Sequence, residues 1–323
     1  MASRKKIISI VLKAFIGIAG FAVIFLKLKE DLTTENLSLI RHSASSLNGL
    51  LCLLACLLLI PVNWVLESYK WKCITAPIEK ISLLTAQKSV YSGICLGNLA
   101  PGRATEFLAK IIFFKSENRP AISVLHFVNG MFQLSITYLF GFLALSLKKN
   151  SFAADQSWIA YTSFSLSILV LIVFSMSLIK IDKLLHFVTR KILKEKNLPQ
   201  FHFQFKLPLL FTLFSVSIFR YLVFSMQMLL LIVLYSGQFS SSIFIGTALY
   251  FLLTTSIPMI SFLEAPIRAA IALVVYKDCG VNDSALALAS VSVWIANIIF
   301  PSILGYVFLL RQNFDFKLSR SKR

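Results

Sequence analysis

Apolar stretches of about 20 residues recur along this chain, each long enough to cross roughly 30 Å of hydrocarbon. Inside lipid a backbone must bond its own polar groups, which leaves helices and closed barrels. The runs are near continuous rather than alternating, so they read as helices. With 57% hydrophobic and 14% charged residues, a soluble core is excluded and little chain is left for an independent globular domain.

Six stretches read as complete spans: 7–27, 47–66, 121–147, 158–179, 207–235 and 284–310. The first follows Arg4-Lys5-Lys6 like a signal sequence. Its apolar run reaches Leu26 without a clear small-residue cleavage site, so it is kept as a membrane helix. Two further regions are interrupted. Segments 85–98 and 103–114 flank Pro101-Gly102, and about 14 helical residues reach only roughly 21 Å. Segments 241–257 and 264–276 flank Pro258 and a short link. Each pair reads as a re-entrant helical hairpin, because proline and glycine break the helix between two arms too short to span.

Loop charge fits this topology. With the N-terminus and C-terminus in the cytoplasm, the cytoplasmic segments carry 21 bases and the outer ones six, beside six acids. That asymmetry is what the positive-inside rule requires. The chain then divides near residue 152 into two units, 1–152 and 153–323. Each has two spans, a hairpin and a third span, and the odd number of crossings inverts the second unit. The expected fold is all-α and polytopic: six full spans plus two re-entrant hairpins in an inverted repeat, a recurrent plan among secondary transporters. The net charge of +18 lies in short loops, which argues for orientation in a bacterial inner membrane and against nucleic acid.

Once the loop bases, Lys27 and Lys88 among them, are set aside, seven charged residues remain in the apolar segments: Lys13, Arg103, Glu106, Lys110, Arg220, Glu264 and Arg268. Charge in hydrocarbon is costly, so such residues are functional candidates by default. Only two are acids, and each follows a proline break with a base four positions on. Lys13 can snorkel to the interface. Arg220, halfway along its span, needs a partner carboxylate, a watery cavity or an anionic headgroup. Arg103, Glu106 and Lys110 form one helical stripe.

Two readings of the paired charges stay open. One is a pair of intrahelical salt bridges that hold the hairpins together, since acid-before-base at i, i+4 favours a helix. The other is an anion site. Arms that begin after Pro101-Gly102 and near Pro266 would present backbone N–H groups and a positive dipole end within the membrane. Four bases against two acids add a formal excess of two positive charges. Asn98 adjoins the first break and is counted with this site. Asn63, Asn129, Gln133, Gln227 and Asn297 are expected to hydrogen-bond between helices, and the glycines of Gly93-Ile94-Cys95-Leu96-Gly97 to let the hairpin arms approach.

The five cysteines and four histidines have no metal-ligand spacing, so neither metal nor cofactor is expected. Nucleophile elbow, P-loop and paired-histidine motifs are missing, which argues against an enzyme.

Pro101, Arg103, Glu106 and Lys110, then Pro258, Glu264 and Arg268, resemble the two motifs of the transmembrane, flippase-like region of the lysylphosphatidylglycerol synthase family. The likeness covers nearly the whole chain in span order. Thr105 stands where many members have glycine and Lys110 where many have arginine. Ile260-Ser261-Phe262-Leu263 replaces a glycine-rich link. The soluble aminoacyl-transferase domain of the synthases has no counterpart in these residues, so the resemblance implies lipid translocation without lipid synthesis.

The expectation is a transporter that moves an anionic lipid, or lipid-linked precursor, between leaflets. Its headgroup would lie between the hairpins, near Arg103, Glu106, Lys110, Arg220, Glu264 and Arg268. The alternatives are a transporter of a small soluble anion and a non-transporting membrane scaffold.

Overall fold

The computed structural model describes residues 45–98, 103, 105–147, 205–257 and 263–311, with 38, 161, 162, 165, 166, 168, 169 and 172 as isolated positions. Among them every regular element is helical. In chain order these are α1 (Leu47–Thr75), α2 (Leu83–Gly97), α3 (Glu106–Ile111), α4 (Arg119–Leu147), α5 (Leu207–Ser236), α6 (Ser241–Ser256), α7 (Glu264–Val275), α8 (Asp283–Trp294) and α9 (Phe300–Leu310). A π-helical turn at Ile295–Ile299 joins α8 to α9. The expected spans 7–27 and 158–179 and the breaks Pro101, Gly102 and Pro258 lie outside the described residues, as does Lys13, apart from the isolated positions above.

Four helices, Leu47–Thr75, Arg119–Leu147, Leu207–Ser236 and the continuous Asp283–Leu310, are long and apolar enough to cross a membrane. At 1.5 Å per residue each runs to roughly 42–45 Å, more than the hydrocarbon thickness. This is a helical membrane protein. By contrast α2 and α6, with 15 and 16 residues, reach only about 22–24 Å.

Local chemistry sets the ends. Ser46, Ser82 and Ser240 cap α1, α2 and α6 by accepting a backbone N–H three residues on. Pro208 opens α5, and Gly237 closes it at φ 68°, a left-handed conformation that glycine adopts without a side-chain clash. The π turn precedes Pro301, whose missing N–H and bulky ring disturb the ladder four residues back, at Asn297. The Phe300 N–H bonds the Ile295 carbonyl instead, an i→i+5 bond.

Two elements differ from the sequence expectation: the arm expected over 103–114 is an α-helix only over Glu106–Ile111, and the second difference is at the end of α1. The span expected to end at Leu66 continues to Thr75, because no breaker intervenes before Pro77 and the added turns bury Glu67, Lys70 and Trp71. Glu67 and Lys70 therefore belong to the bundle interior and not to a loop.

Packing is reciprocal. The longest contact is between α1 and α5; α2 lies against α9, and α6 against α4. Each of these last pairs closes on a glycine. A Cβ at Gly305 would collide with the Tyr91 carbonyl, and one at Gly141 would sit 2.5 Å from Leu252 Cβ. Within the short-helix pairs the same device recurs. A Cβ at Gly93 would lie 2.7 Å from Lys110 Cγ, one at Gly97 3.1 Å from Glu106 Cβ, and one at Gly246 2.8 Å from the Tyr276 ring. The expected close approach of the first hairpin's arms is thus present.

Two apolar clusters form the interior. One is built on α1, α2 and the first half of α4; the other on α5 to α8. Along α4, Val128 and Phe132 join the first, and Ile136 and Ala144 the second. Asn129, Gly130 and Gln133 instead line a cavity.

Candidate functional site

The cavity measures about 530 Å³ and is lined from eight helices, α1 to α8, and the π turn. Its charged wall consists of Glu67 and Lys70 from α1, Glu106 and Lys110 from α3, Arg220 from α5 and Arg268 from α7, with Arg103 just before α3. Both sequence motifs therefore contribute to one chamber. Of the expected site residues, Glu264 reaches it through its partner Arg268. Asn98 is not among the lining residues: its Nδ2 donates to Ser302 Oγ at 2.6 Å and ties α2 to α9.

α3 and α7 begin alike. Thr105 and Leu263 precede them with nearly the same backbone angles, and Glu106 and Glu264 are each the first helical residue. Free N-termini for an external anion were expected here. Each helix instead places its own carboxylate in the first turn, where it complements the dipole, and α3 has only six residues. Attraction for an anion comes from the side chains.

Those side chains form two ion clusters. Lys110 Nζ lies 2.7 Å from Glu106 Oε1, and Arg103 Nη1 lies 3.9 Å from Glu106 Oε2. Arg268 donates through Nε and Nη2 to Glu264 Oε1, at 3.1 and 2.8 Å. Both pairs have the expected i, i+4 geometry. Arg103 has φ 58°, a left-handed value unusual for a residue with a side chain. Its Nη2 is buried with no hydrogen-bond partner among the described residues.

Glu67 is the residue the sequence reading missed. Its carboxylate lies 3.1 Å from Lys70, 3.1 Å from Arg220 and 3.9 Å from Lys110, and it accepts from Asn129 Nδ2 at 2.8 Å. It is the partner that Arg220 demanded. The signal was present: Asn63, Glu67 and Lys70 recur at helical spacing on one face of α1, with Trp64 and Trp71 beside them. Arg220 also donates to Asn63 Oδ1 at 3.0 Å and to Gln133 Oε1 at 3.3 Å, and its guanidinium lies over the Trp64 ring. Asn63 donates to Asn297, and Asn297 to Gln227, at 2.6 and 2.9 Å. These amides do bond between helices, as expected, and Asn63, Asn129, Gln133 and Asn297 face the chamber as well.

Lys110 is held from below. Trp71 Nε1 donates to Ser89 Oγ at 3.0 Å, and Ser89 Oγ donates to the Lys110 carbonyl at 2.9 Å. The Lys110 ammonium rests over the Trp71 ring, 5.2 Å from its centroid. Thr105 Oγ1 donates to the Leu96 carbonyl at 2.6 Å and fastens the two arms.

The chamber reaches the surface of the bundle. Its lining includes exposed Phe127 and Gly130 on α4 and exposed Thr255 on α6. Phe127 is 58% exposed and lies well inside the span Arg119–Leu147. The opening therefore lies along the length of a helix able to cross a membrane, with its exposed lining on α4 and α6.

Fold and site together define a helical membrane protein with a charged chamber enclosed by its spans. No protein-family model matches this chain, and no curated protein matches it.

Proposed function

We propose that this protein is a flippase-like transporter that moves an anionic lipid, or a lipid-linked precursor, between the leaflets of a bacterial inner membrane. The observation that carries this reading is the chamber itself: a basic cavity whose mouth is lined by exposed residues of α4 and α6, within the length of a helix able to cross a membrane. A headgroup could enter sideways through such a mouth while its chains stay among the exposed apolar residues of the bundle. Ligand chambers of several hundred cubic ångströms are the usual size for such groups.

The fine architecture belongs to the same proposal. We take 1–152 and 153–323 as inverted repeats, each with a re-entrant hairpin, within six spans and with both termini cytoplasmic. Support comes from exchange symmetry in the packing. Swapping α1 with α5, α2 with α6, α3 with α7 and α4 with the α8–α9 rod leaves the main contacts in place. The likeness of the Glu106 and Glu264 helix starts obeys the same swap. The motif likeness to the flippase-like region of the lysylphosphatidylglycerol synthases points the same way.

The test is translocation of a labelled anionic lipid in proteoliposomes. Glu106→Gln with Glu264→Gln should abolish it at near-normal expression. Unchanged flipping by that double variant ends the mechanism. A small soluble anion is the second reading, favoured by the charged lining, which would hold a free anion as it would a headgroup. It predicts uptake of a soluble anion without lipid movement.

A further inference from the structure

We infer that the group the chamber takes up carries two negative charges, as a phosphate monoester or diphosphate does, and is not a singly charged phosphodiester. This rests on the reading of the chamber as an anion site and adds the charge state of its occupant.

The first argument is the tally of partners. Five bases, Lys70, Arg103, Lys110, Arg220 and Arg268, are served by three carboxylates, Glu67, Glu106 and Glu264, among the described residues. Adding Glu67 and Lys70 to the set recognised in the sequence leaves the excess at two positive charges. Uncompensated charge within a bilayer is expensive, so a bound anion that cancels both charges is preferred to one that cancels half.

The second argument is which bases the chamber leaves open. The side chains of Lys70 and Lys110 are 0% and 2% exposed, sealed onto their carboxylates and, for Lys110, a tryptophan ring. Those of Arg103, Arg220 and Arg268 are 33%, 16% and 18% exposed. The open positions are thus all guanidinium groups, whose planar fork matches phosphate oxygens two at a time. Arg103 is the least satisfied. It holds its carboxylate at 3.9 Å, leaves Nη2 without a partner among the described residues and keeps a strained backbone. Strain of that kind persists at sites where a side chain must be held in one direction.

The experiment measures thermal stabilisation of the purified full chain in neutral detergent at about pH 8, where a phosphate monoester carries close to two charges. The probes are short-chain phosphatidic acid, short-chain phosphatidylglycerol, inorganic phosphate and inorganic pyrophosphate. Phosphatidic acid should half-saturate at a concentration at least about tenfold below phosphatidylglycerol, a conservative effect for one more unit charge beside an arginine. Arg103→Gln should shrink that ratio, whereas Lys115→Gln, on an exposed loop, should leave it unchanged. Equal binding of the two lipids overturns the dianion inference and leaves the anionic-lipid reading standing. Stabilisation by phosphate or pyrophosphate as strong as by phosphatidic acid supports the charge state and removes the lipid. Stabilisation by none of the four overturns both. A ratio that Lys115→Gln lowers as much as Arg103→Gln also overturns the inference, because it assigns the preference to net charge alone.

Discussion

The Glu67 carboxylate meets the Arg220 guanidinium at 3.1 Å, joining α1 to α5. Each residue alone would be an uncompensated ion within a membrane helix. Together with Lys70, Lys110 and Asn129 they make a fixed electrostatic node on one wall of the chamber.

Glu67→Gln should therefore be the most damaging single substitution in the bundle. It leaves three bases around a neutral amide, and breaking a buried pair from one side costs about 3–5 kcal/mol. Thermal unfolding in detergent should show a large fall in Tm. Glu67→Gln with Lys70→Met should recover part of it, since Lys70 then needs no counter-charge and Lys110 keeps Glu106.

The motif pairs call for a different test. Swapping the charges of Glu106 and Lys110 would place a carboxylate at 110 against Glu67, so the outcome would report that repulsion. Glu264 and Arg268 suit the exchange better, because their mutual contact is the ion pair the fold provides there. Glu264→Arg with Arg268→Glu should abolish lipid translocation while preserving Tm to within a few degrees. Retained translocation would mark the pair as a structural strut only.

Helix approach makes a clean contrast between two glycines. Gly305→Ala drives a methyl group into the Tyr91 backbone, which cannot yield as a flexible side chain can. A loss of about 1–3 kcal/mol is expected, as for overpacking elsewhere. Gly130 has open space where a Cβ would go, so Gly130→Ala should gain about 0.5–1 kcal/mol from helix propensity. Unfolding midpoints of the two variants should move in opposite directions.

Arg103 offers a backbone prediction separable from its charge. Arg103→Gly and Arg103→Ala both remove the guanidinium, but only glycine relaxes at φ 58°. The glycine variant should be the more stable by about 1 kcal/mol. Both should lose the same fraction of anion binding.

Asn297 connects two amides from different helices, accepting from Asn63 and donating to Gln227. Asn297→Ala should cost about 1–3 kcal/mol through the polar groups it strands. A double-mutant cycle with Asn63→Ala should give a clear coupling energy; strict additivity would show the link to be idle.

Helix positions were legible from hydropathy and breakers. The described α2, α4, α5, α6 and α7 begin and end within two residues of the expected segments 85–98, 121–147, 207–235, 241–257 and 264–276. The intrahelical Glu106–Lys110 and Glu264–Arg268 pairs were legible from spacing alone. Glu67 was hidden by a hydropathy rule. A window that ends at the first charged residue assigns Glu67, Tyr69 and Lys70 to a loop, although helical periodicity runs on to Thr75. Its partnership with Arg220 spans the whole fold, and no local pattern encodes it. The filled N-termini of α3 and α7 were missed for a related reason: a proline break suggests where a helix can restart, but not which residue starts it.

The reciprocal seating of α2 on α9 and α6 on α4 has a consequence for biogenesis. When Gly93 and Lys110 leave the ribosome, the surface that will receive α2, around Gly305, is close to two hundred codons from being made. α2 and α3 must wait without that cover, and α9, on arrival, acts as the keystone that closes the packing.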